Sequence, residues 1–420
     1  MGATRFFSRS VIVTTKTSIS SDEAMELENK HGAHNYHPLP VVLSRGEGVF
    51  LWNPEGQRFY DCLSAYSAVN QGHCHPRLVK VMNEQASRLT LTSRAFYSDA
   101  LGEYCRYITE YFGYERVLPM NTGVEGGETA VKLARRWGYL HKNIPDEQAR
   151  VVFVEGNFWG RTLSAISTST DPTCKDGFGP YMPGFHVIPY DDVPALEEAL
   201  SHPHVCGFMF EPIQGEAGVN TPSEGYLKEV RRVCDEKNVL MIADEVQTGL
   251  CRTGRMLACD HEEVRPDIVI LGKALSGGML PVSAVLADSE VMLGIKPGEH
   301  GSTYGGNPLA CKVAMEALQI LKDEKLDEQA ERLGKIFRET LRAVDRPWIK
   351  EVRGKGLLNA LEVSSDLGVE AWDVCVKLKE AGVLAKPTHD TIIRFAPPLV
   401  ITEEQLKECL GIIVSVLESL

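Results

Sequence analysis

The sequence has no apolar run long enough to span a membrane. Its longest apolar runs are strand-sized, such as residues 239–243, whereas a transmembrane helix needs about 20 consecutive apolar residues. A basic excess is also missing, because 44 Lys and Arg face 57 Asp and Glu and give a formal net charge of -13. Binding to nucleic-acid phosphates needs clustered cations. We therefore expect neither a membrane nor a nucleic-acid partner, and small metabolites are the expected ligands.

Paired cysteine motifs are missing as well. Eleven cysteines are scattered from Cys62 to Cys409 without CxxC spacing, a pattern typical of free thiols in a reducing compartment rather than of a disulfide framework. The segment 72–76 (GHCHP) places two histidines beside a cysteine. That spacing does not suit tetrahedral zinc, and no further ligands recur at ligand spacing, so we expect no metal.

The common nucleotide-binding fingerprints are absent too. The chain contains neither a GxGxxG sequence in a βα turn nor a Walker A sequence, the two motifs that cradle dinucleotides and nucleoside triphosphates. An NAD-dependent Rossmann oxidoreductase is therefore kept only as a remote alternative.

The chain does contain an alternation of short apolar runs and helical patterns. The expected strands are five runs rich in β-branched residues, at residues 151–154, 206–210, 239–243, 268–271 and 282–287. Strands this apolar are buried on both faces, as in a mainly parallel α/β sheet. Polar segments follow four of them, at residues 156–161, 211–216, 244–247 and 272–273. Because ligands bind at the carboxyl ends of strands in open α/β sheets, these segments are predicted to meet at one crevice.

Length and pattern together predict two domains. Amphipathic helices are expected at residues 309–323 and 326–344, and hairpin character is seen at residues 48–60. The predicted division is a large cofactor domain over residues 60–307 and a small α+β domain over 308–420, with residues 22–59 packing against the small domain.

The N-terminal segment, residues 1–21, has its own composition. It contains Arg5, Arg9 and Lys16 but no acidic residue, which resembles a mitochondrial presequence and equally suits a disordered tail. The compartment, mitochondrial matrix or cytoplasm, therefore stays open.

Two strand ends carry the most specific motifs. Residues 240–249 read LMIADEVQTG, and residues 268–278 read IVILGKALSGG. These motifs resemble those of the class III aminotransferases, pyridoxal-phosphate enzymes of fold type I, and the resemblance extends from about residue 36 to residue 398. It is strongest to the members that convert ornithine. The fold it implies has a large, mainly parallel-sheet cofactor domain and a smaller α+β domain built from both ends of the chain.

The resemblance implies roles around the cofactor ring. Lys273 would form the covalent imine link and then move a proton between the substrate carbon and C4′ of the cofactor. Asp244 would keep the pyridine nitrogen protonated, because a nearby carboxylate favours the charged form. Phe158 would stack on the ring and Gln247 would bind its phenolic oxygen, with Val246 in the same cofactor-binding set.

The segment 122–128 (TGVEGGE) opens a helical pattern. Backbone N–H groups at a helix start, beside glycines that permit close approach, suit a phosphate group. The resemblance assigns the cofactor phosphate to Gly123 and Val124 and adds Thr303 from a second subunit. A homodimer is therefore implied.

The substrate end must accept two different carboxylates. A terminal-amine donor carries its carboxylate far from the cofactor, whereas glutamate carries its α-carboxylate beside it, and guanidinium groups match carboxylates bidentately. The resemblance implies that Arg161 binds the distant carboxylate and Arg394 the near one. Glu216 would mask the Arg394 charge during the first half-reaction.

The expected substrates are L-ornithine and 2-oxoglutarate, which would give L-glutamate 5-semialdehyde and L-glutamate in two half-reactions. Tyr36 and Tyr66 match positions that contact the α-amino and α-carboxylate end of ornithine in such enzymes. Related 4-aminobutyrate enzymes are apolar at the position of Tyr66. Transfer from 4-aminobutyrate or N-acetylornithine is the alternative within the family.

Overall fold

The computed structural model describes residues 19–420. Most of the predicted presequence-like segment, residues 1–18, therefore lies outside the described part of the chain. Helix α1 (Ser21–His31) begins after Ser20, whose side chain accepts a hydrogen bond from the Glu23 N–H. This cap satisfies one of the free N–H groups at the start of the helix.

Three short strands follow α1 and form an antiparallel meander. They are β1 (Arg45–Glu47), β2 (Phe50–Trp52) and β3 (Arg58–Asp61). The hairpin expected near residues 48–60 is present as β2 and β3.

A seven-stranded sheet forms the centre of the molecule. Its strands are β4 (Arg116–Met120), β5 (Arg150–Val154), β6 (Phe185–Ile188), β7 (Val205–Phe210), β8 (Leu240–Asp244), β9 (Ile268–Leu271) and β10 (Ser283–Ala287). The spatial order is β4-β10-β9-β8-β7-β5-β6. Only β10 runs antiparallel to its neighbours. The sheet is therefore mainly parallel, as predicted.

Helices cover both faces of this sheet. The helices of this part of the chain are α2 (Ser64–Ser67), α3 (Pro76–Ala86), α4 (Asp99–Phe112), α5 (Gly123–His141), α6 (Leu163–Ser167), α7 (Pro172–Lys175), α8 (Val193–Leu200), α9 (Tyr226–Lys237) and α10 (Ser289–Met292). Of these, α4, α5, α8, α9 and α10 contact strands of the sheet. Leu133 of α5 belongs to the core on one face, and Leu196 of α8 and Val230 of α9 belong to the core on the other. Every residue of β7, β8 and β9 is buried, as strands covered on both faces must be.

The C-terminal part mixes helices with a second sheet. Its elements are α11 (Pro308–Asp323), α12 (Leu326–Arg342), β11 (Ile349–Lys355), β12 (Leu358–Val363), α13 (Ala371–Glu380), β13 (Val383–Leu384), β14 (Lys386–Thr388), β15 (Ile392–Phe395) and α14 (Glu403–Glu418). An antiparallel sheet has the order β11-β12-β15-β14. The helices predicted at 309–323 and 326–344 are α11 and α12.

Contacts between the parts of the chain bear on its division into domains. β13 pairs in parallel with β3, so the N-terminal strands join the C-terminal part. α11 packs against α3 and α4 of the large-sheet part. The boundary at residues 307 and 308 therefore falls before a helix that touches both parts, and the domain division stays a prediction.

Within residues 19–420, no helix combines the length and apolar character needed to cross a membrane. Nor does this described range contain a group of three or more His, Cys, Asp and Glu side chains placed to hold a metal ion.

Candidate active site

The polar strand ends meet at one cavity of about 220 Å³. The cavity is lined by Gly123, Val124, Phe158, Trp159, Gly160, Glu211, Asp244, Val246, Gln247 and Lys273. It lies at the carboxyl ends of β5, β7, β8 and β9, where an open α/β sheet binds its ligands. Seven of the eight cofactor-binding residues predicted from the sequence line this cavity, and Thr303 is the exception.

Lys273 comes two residues after β9 and has a left-handed backbone, with φ of 45°. This conformation is unusual for a residue with a side chain, and such strain often marks functional positions. Burial lowers the pKa of Lys273, against the opposing effect of Asp244. A larger share of the amine is therefore neutral and able to attack a carbonyl carbon.

Asp244 ends β8 and is 5% exposed. Its Oδ1 accepts a hydrogen bond from the Val246 N–H at 3.0 Å. Burial raises the pKa of Asp244 to about 6, so the group is mostly ionised at neutral pH. A buried carboxylate facing a cavity favours a cationic ligand group, such as a protonated pyridine nitrogen.

The start of α5 lines one end of the cavity through Gly123 and Val124. Thr122 and Glu125 form a capping box, in which Glu125 accepts a hydrogen bond from the Thr122 N–H at 2.7 Å. A side chain at Gly123 would place its Cβ 3.0 Å from Val246 Cγ1. The helix N-terminus and the close packing at glycine together suit a phosphate group.

The loop after β5 packs against the start of α5. Gly160 has φ of 142°, and a Cβ there would lie 2.3 Å from Val124 Cγ2. The Phe158 N–H donates to Glu211 Oε1 at 2.9 Å. Glycine at residue 160 thus allows the Phe158 loop to approach α5 directly.

Arg394, on β15 of the second sheet, contacts the cavity residue Gln247. It is 3% exposed, and its Nη1 lies 2.9 Å from Glu216 Oε2. The same Nη1 donates to the Gly215 carbonyl at 3.3 Å and to Gln247 Oε1 at 3.5 Å. The structure therefore places the predicted arginine and its predicted mask in an ion pair.

Tyr66 and Arg161 lie near this ion pair. The Arg394 guanidinium carbon is 4.9 Å from the Tyr66 ring centre, and that of Arg161 is 5.4 Å from the Phe158 ring centre. Burial raises the pKa of Tyr66, so its hydroxyl stays protonated and can donate to a carboxylate. The Tyr36 side chain is 75% exposed and lies close enough to interact electrostatically with Tyr66.

Thr303 is exposed and does not line the cavity of its own chain. The preceding residue, Ser302, accepts a hydrogen bond from Asn121 Nδ2 at 2.9 Å, next to the start of α5. The loop is thus anchored beside the start of α5, with Thr303 exposed.

Glu211 is a titratable lining residue to which the sequence assigned no role, as it assigned none to the lining residues Trp159 and Gly160. Glu211 comes directly after β7, and Asp244 is in a similar position as the last residue of β8. Glu211 belongs to the polar segment 211–216. Burial raises the pKa of Glu211 to about 8, and the nearby Asp244 adds to this rise. Its position directly after an apolar strand was the available signal.

These residues fit the group that the sequence resemblance implies. Pyridoxal phosphate needs an amine for its aldehyde, a carboxylate for its ring nitrogen and N–H groups for its phosphate. The cavity brings together Lys273, Asp244 and the glycine-bounded start of α5. No residue lining the cavity conflicts with such a ligand.

Comparisons with known proteins agree with this geometry. The family model described as Aminotransferase class-III matches residues 31–417. The chain is 65% identical over 386 residues to "Ornithine aminotransferase, mitochondrial" of Drosophila melanogaster, covering 92% of this chain and 89% of that protein.

Two solved structures are similarly close. The crystal structure of the ornithine aminotransferase from Toxoplasma gondii ME49 has a TM-score of 0.94 and 52% identity, with coverage of 96% of each chain. The acetylornithine aminotransferase from Elizabethkingia anophelis has a TM-score of 0.87 and 55% identity, covering 96% of this chain and 100% of that chain.

Proposed function

The chain belongs to the class-III aminotransferase family, and from that premise we propose that it transfers the δ-amino group of L-ornithine to 2-oxoglutarate. It is a pyridoxal-phosphate-dependent enzyme, and the cofactor supplies an electron sink that carries the amino group between two half-reactions. The products are L-glutamate 5-semialdehyde and L-glutamate. The observation that carries the proposal is the Arg394–Glu216 ion pair beside the cavity.

The proposed cofactor site follows from the cavity lining. Lys273 would hold the cofactor covalently, and Asp244 would pair with its ring nitrogen. Gly123 and Val124 would bind its phosphate group through the start of α5. Phe158 would stack on its ring.

Two further lining residues complete this set. Gln247 would bind the phenolic oxygen of the cofactor, and Val246 packs against Gly123 and Gly272. Val246 therefore supports both the start of α5 and the residue that precedes Lys273.

Lys273 is the proposed proton carrier. In the donor half-reaction the free amine of Lys273 would accept the proton of the donor's terminal carbon and carry it within the site, while the bound cofactor would supply the electron sink. The lowered pKa of Lys273 serves this role, since a neutral amine is needed to accept the proton.

The proposed selectivity depends on which arginine is available. While Glu216 neutralises Arg394, a carboxylate next to the cofactor has no cation to bind, and the donor must extend its carboxylate toward Arg161. When 2-oxoglutarate enters, its α-carboxylate replaces Glu216 on Arg394. Glu216 has 33% of its side chain exposed and so has room to turn away.

Ornithine is favoured over the two related donors by the polar groups near Arg161. Tyr66 and Tyr36 offer hydroxyls to the α-amino and α-carboxylate groups of ornithine. 4-Aminobutyrate has the carboxylate but no α-amino group. N-acetylornithine must be tested because one close structural neighbour is named an acetylornithine aminotransferase. We expect kcat/KM for ornithine to exceed those for both rivals, and a higher value for either rival would overturn the substrate assignment.

We also propose that the enzyme is a homodimer in which Thr303 contacts the cofactor of the second subunit. Large apolar side chains are exposed in the described chain at Phe96, Tyr97 and Tyr304, and exposed apolar patches mark interaction surfaces. Sedimentation should give twice the 46.4 kDa chain mass, and Thr303→Ala should weaken cofactor binding. A monomer that binds the cofactor with full affinity would contradict this arrangement.

A mitochondrial location is the proposed compartment. The name of the Drosophila melanogaster relative places that protein in mitochondria, which favours the presequence interpretation of residues 1–21. Fractionation of cells that express the untagged full chain, with N-terminal sequencing of the product, tests this. Recovery of an unprocessed chain from the cytoplasm would contradict it.

A further inference from the structure

Glu211 joins two loops of the cavity through one carboxyl group. Its Oε1 accepts the Phe158 N–H at 2.9 Å, and its Oε2 accepts the Gly215 N–H at 3.3 Å. Phe158 lies in the loop after β5, and Gly215 lies in the loop after β7. Glu211 itself is 5% exposed, so its two hydrogen bonds are shielded from water.

The Gly215 peptide connects this carboxyl group to the substrate end of the cavity. The Gly215 carbonyl accepts a hydrogen bond from Arg394 at 3.3 Å. A Cβ at Gly215 would lie 2.3 Å from Gln247 Oε1, so Gln247 packs directly on this peptide. The next residue, Glu216, forms the ion pair with Arg394.

We propose that Glu211 is a positioning residue of the cofactor pocket, which fixes the distance between the loop of Phe158 and the loop of Gly215 and Glu216. By holding the Phe158 loop, Glu211 orients the Phe158 ring toward the cofactor. By holding the Gly215 peptide, it fixes the position of Glu216 relative to Arg394. The assignment rests on the proposed function for the roles of Phe158 and Glu216.

The charge state of Glu211 is compatible with this role. Burial and the neighbouring Asp244 raise its pKa to about 8, whereas the pKa of Asp244 is raised to about 6. At neutral pH the proton therefore resides on Glu211 and the negative charge on Asp244, a division of roles typical of paired carboxyl groups. A protonated carboxyl group still offers both oxygens as acceptors to the two N–H groups.

Removing the carboxyl group should release both loops together. Glu211→Ala leaves two buried N–H groups without acceptors, and each such loss is costly. Glu211→Gln keeps one carbonyl acceptor but turns an NH₂ donor toward the other N–H. We expect the cofactor dissociation constant to rise about tenfold or more in the alanine variant, and by less in the glutamine variant.

Glu245→Gln is the matched control. Glu245 adjoins Asp244, is 1% exposed and accepts the Cys259 N–H at 2.9 Å. Burial raises its pKa as well, but it does not line the cavity. A merely structural need for a buried carboxyl group would affect both positions alike.

The experiment measures three properties of the purified full-length enzyme and its variants. They are the cofactor dissociation constant, the visible circular dichroism of the bound cofactor, and the ratio of kcat/KM for glutamate to that for ornithine. Both Glu211 variants should change all three, while Glu245→Gln should match the parent enzyme.

A folded Glu211→Gln variant with cofactor affinity within twofold of the parent enzyme and an unchanged dichroism band would overturn the proposal. An equal loss of affinity in Glu245→Gln would do the same. If Glu211→Ala does not fold, the glutamine variant decides. Failure of the parent enzyme to use ornithine would instead refute the proposed function, because the cofactor measurements do not depend on the donor.

Discussion

At the residue scale, Arg394 and Glu216 form an ion pair beside the cavity. Arg394 is almost fully buried, and a buried cation that loses its partner is strongly destabilising. In the proposed mechanism a carboxylate therefore pairs with the guanidinium in each half-reaction, supplied first by Glu216 and then by the substrate. Donor selection would then be a competition between two carboxylates for one arginine.

Replacement of Glu216 by alanine should shift donor preference toward glutamate. Arg394 would then be open to an α-carboxylate from the start, and we expect the kcat/KM ratio of glutamate to ornithine to rise about tenfold or more, equal to about 1.4 kcal/mol. Steady-state kinetics with each donor measures the ratio. Glu316→Ala is the control, since Glu316 pairs with Arg77 at 2.6 Å and is 28% exposed, away from the cavity. An unchanged kcat/KM ratio in the Glu216 variant would contradict the proposal that Glu216 controls access to Arg394.

The pKa of Asp244 predicts how cofactor binding depends on pH. Its pKa of about 6 in the protein means that it gains a proton as the pH falls through 6, and the protonated form cannot pair with a cationic ring nitrogen. Cofactor affinity should therefore fall between pH 7 and pH 5. The cofactor has titrating groups of its own, and the Asp244→Asn variant serves as the reference for their contribution. We expect this variant to bind the cofactor more weakly and its affinity to change less with pH. Parallel profiles for both proteins would contradict the pairing.

Sequence reasoning found most of the cavity residues but did not pair the charges by itself. Glu216 and Arg394 are 178 residues apart, one in the loop after β7 and the other on β15, so only the family resemblance related them. Glu211 was missed because the segment 211–216 offers two glutamates and the resemblance explained the second. Contacts between loops that follow different strands depend on tertiary structure, which a single sequence does not show.

At the element scale, the site depends on how closely the βα loops approach the start of α5. Gly160 and Gly123 have no Cβ, and their neighbours Val124 and Val246 occupy the space that a side chain would need. The loops are therefore fixed by packing as well as by hydrogen bonds. Such close packing leaves little room for a change of backbone position.

A methyl group at Gly160 should separate the Phe158 loop from α5. In Gly160→Ala the new Cβ would lie 2.3 Å from Val124 Cγ2 on a backbone with φ of 142°, and we expect cofactor affinity to fall about tenfold or more. Gly177→Ala is the matched control, because Gly177 has φ of 85° and a Cβ there would meet no neighbouring atom within 4 Å. Equal losses of affinity in both variants would show that backbone strain alone, and not the contact with Val124, is responsible.

Among the strands of the central sheet, the sequence did not predict the two outer ones. β4 contains Pro119, and β6 is a four-residue strand at the sheet edge. A proline and a short length weaken the strand pattern. The five central strands were found because burial on both faces makes them apolar throughout. The antiparallel direction of β10 depends on its connections to other elements. The composition of the strand does not indicate this direction.

At the scale of the whole molecule, the site lies between two sheets. Lys273, Asp244 and Glu216 come from the large-sheet part, whereas Arg394 comes from β15 of the C-terminal sheet. The cavity is thus lined from the large-sheet part alone, and the Arg394–Glu216 ion pair joins this part to the C-terminal sheet. In the proposed mechanism, a change in the position of the C-terminal sheet would alter donor selection before it altered cofactor binding.

The central claim is that the terminal amine of ornithine is the group transferred, and nitrogen labelling tests it most directly. The enzyme is incubated with L-ornithine labelled with ¹⁵N at the δ-position and with unlabelled 2-oxoglutarate, and the glutamate formed is analysed by mass spectrometry. We predict that the glutamate carries the ¹⁵N label. Unlabelled glutamate would show that the α-amino group had moved instead, and would contradict the account.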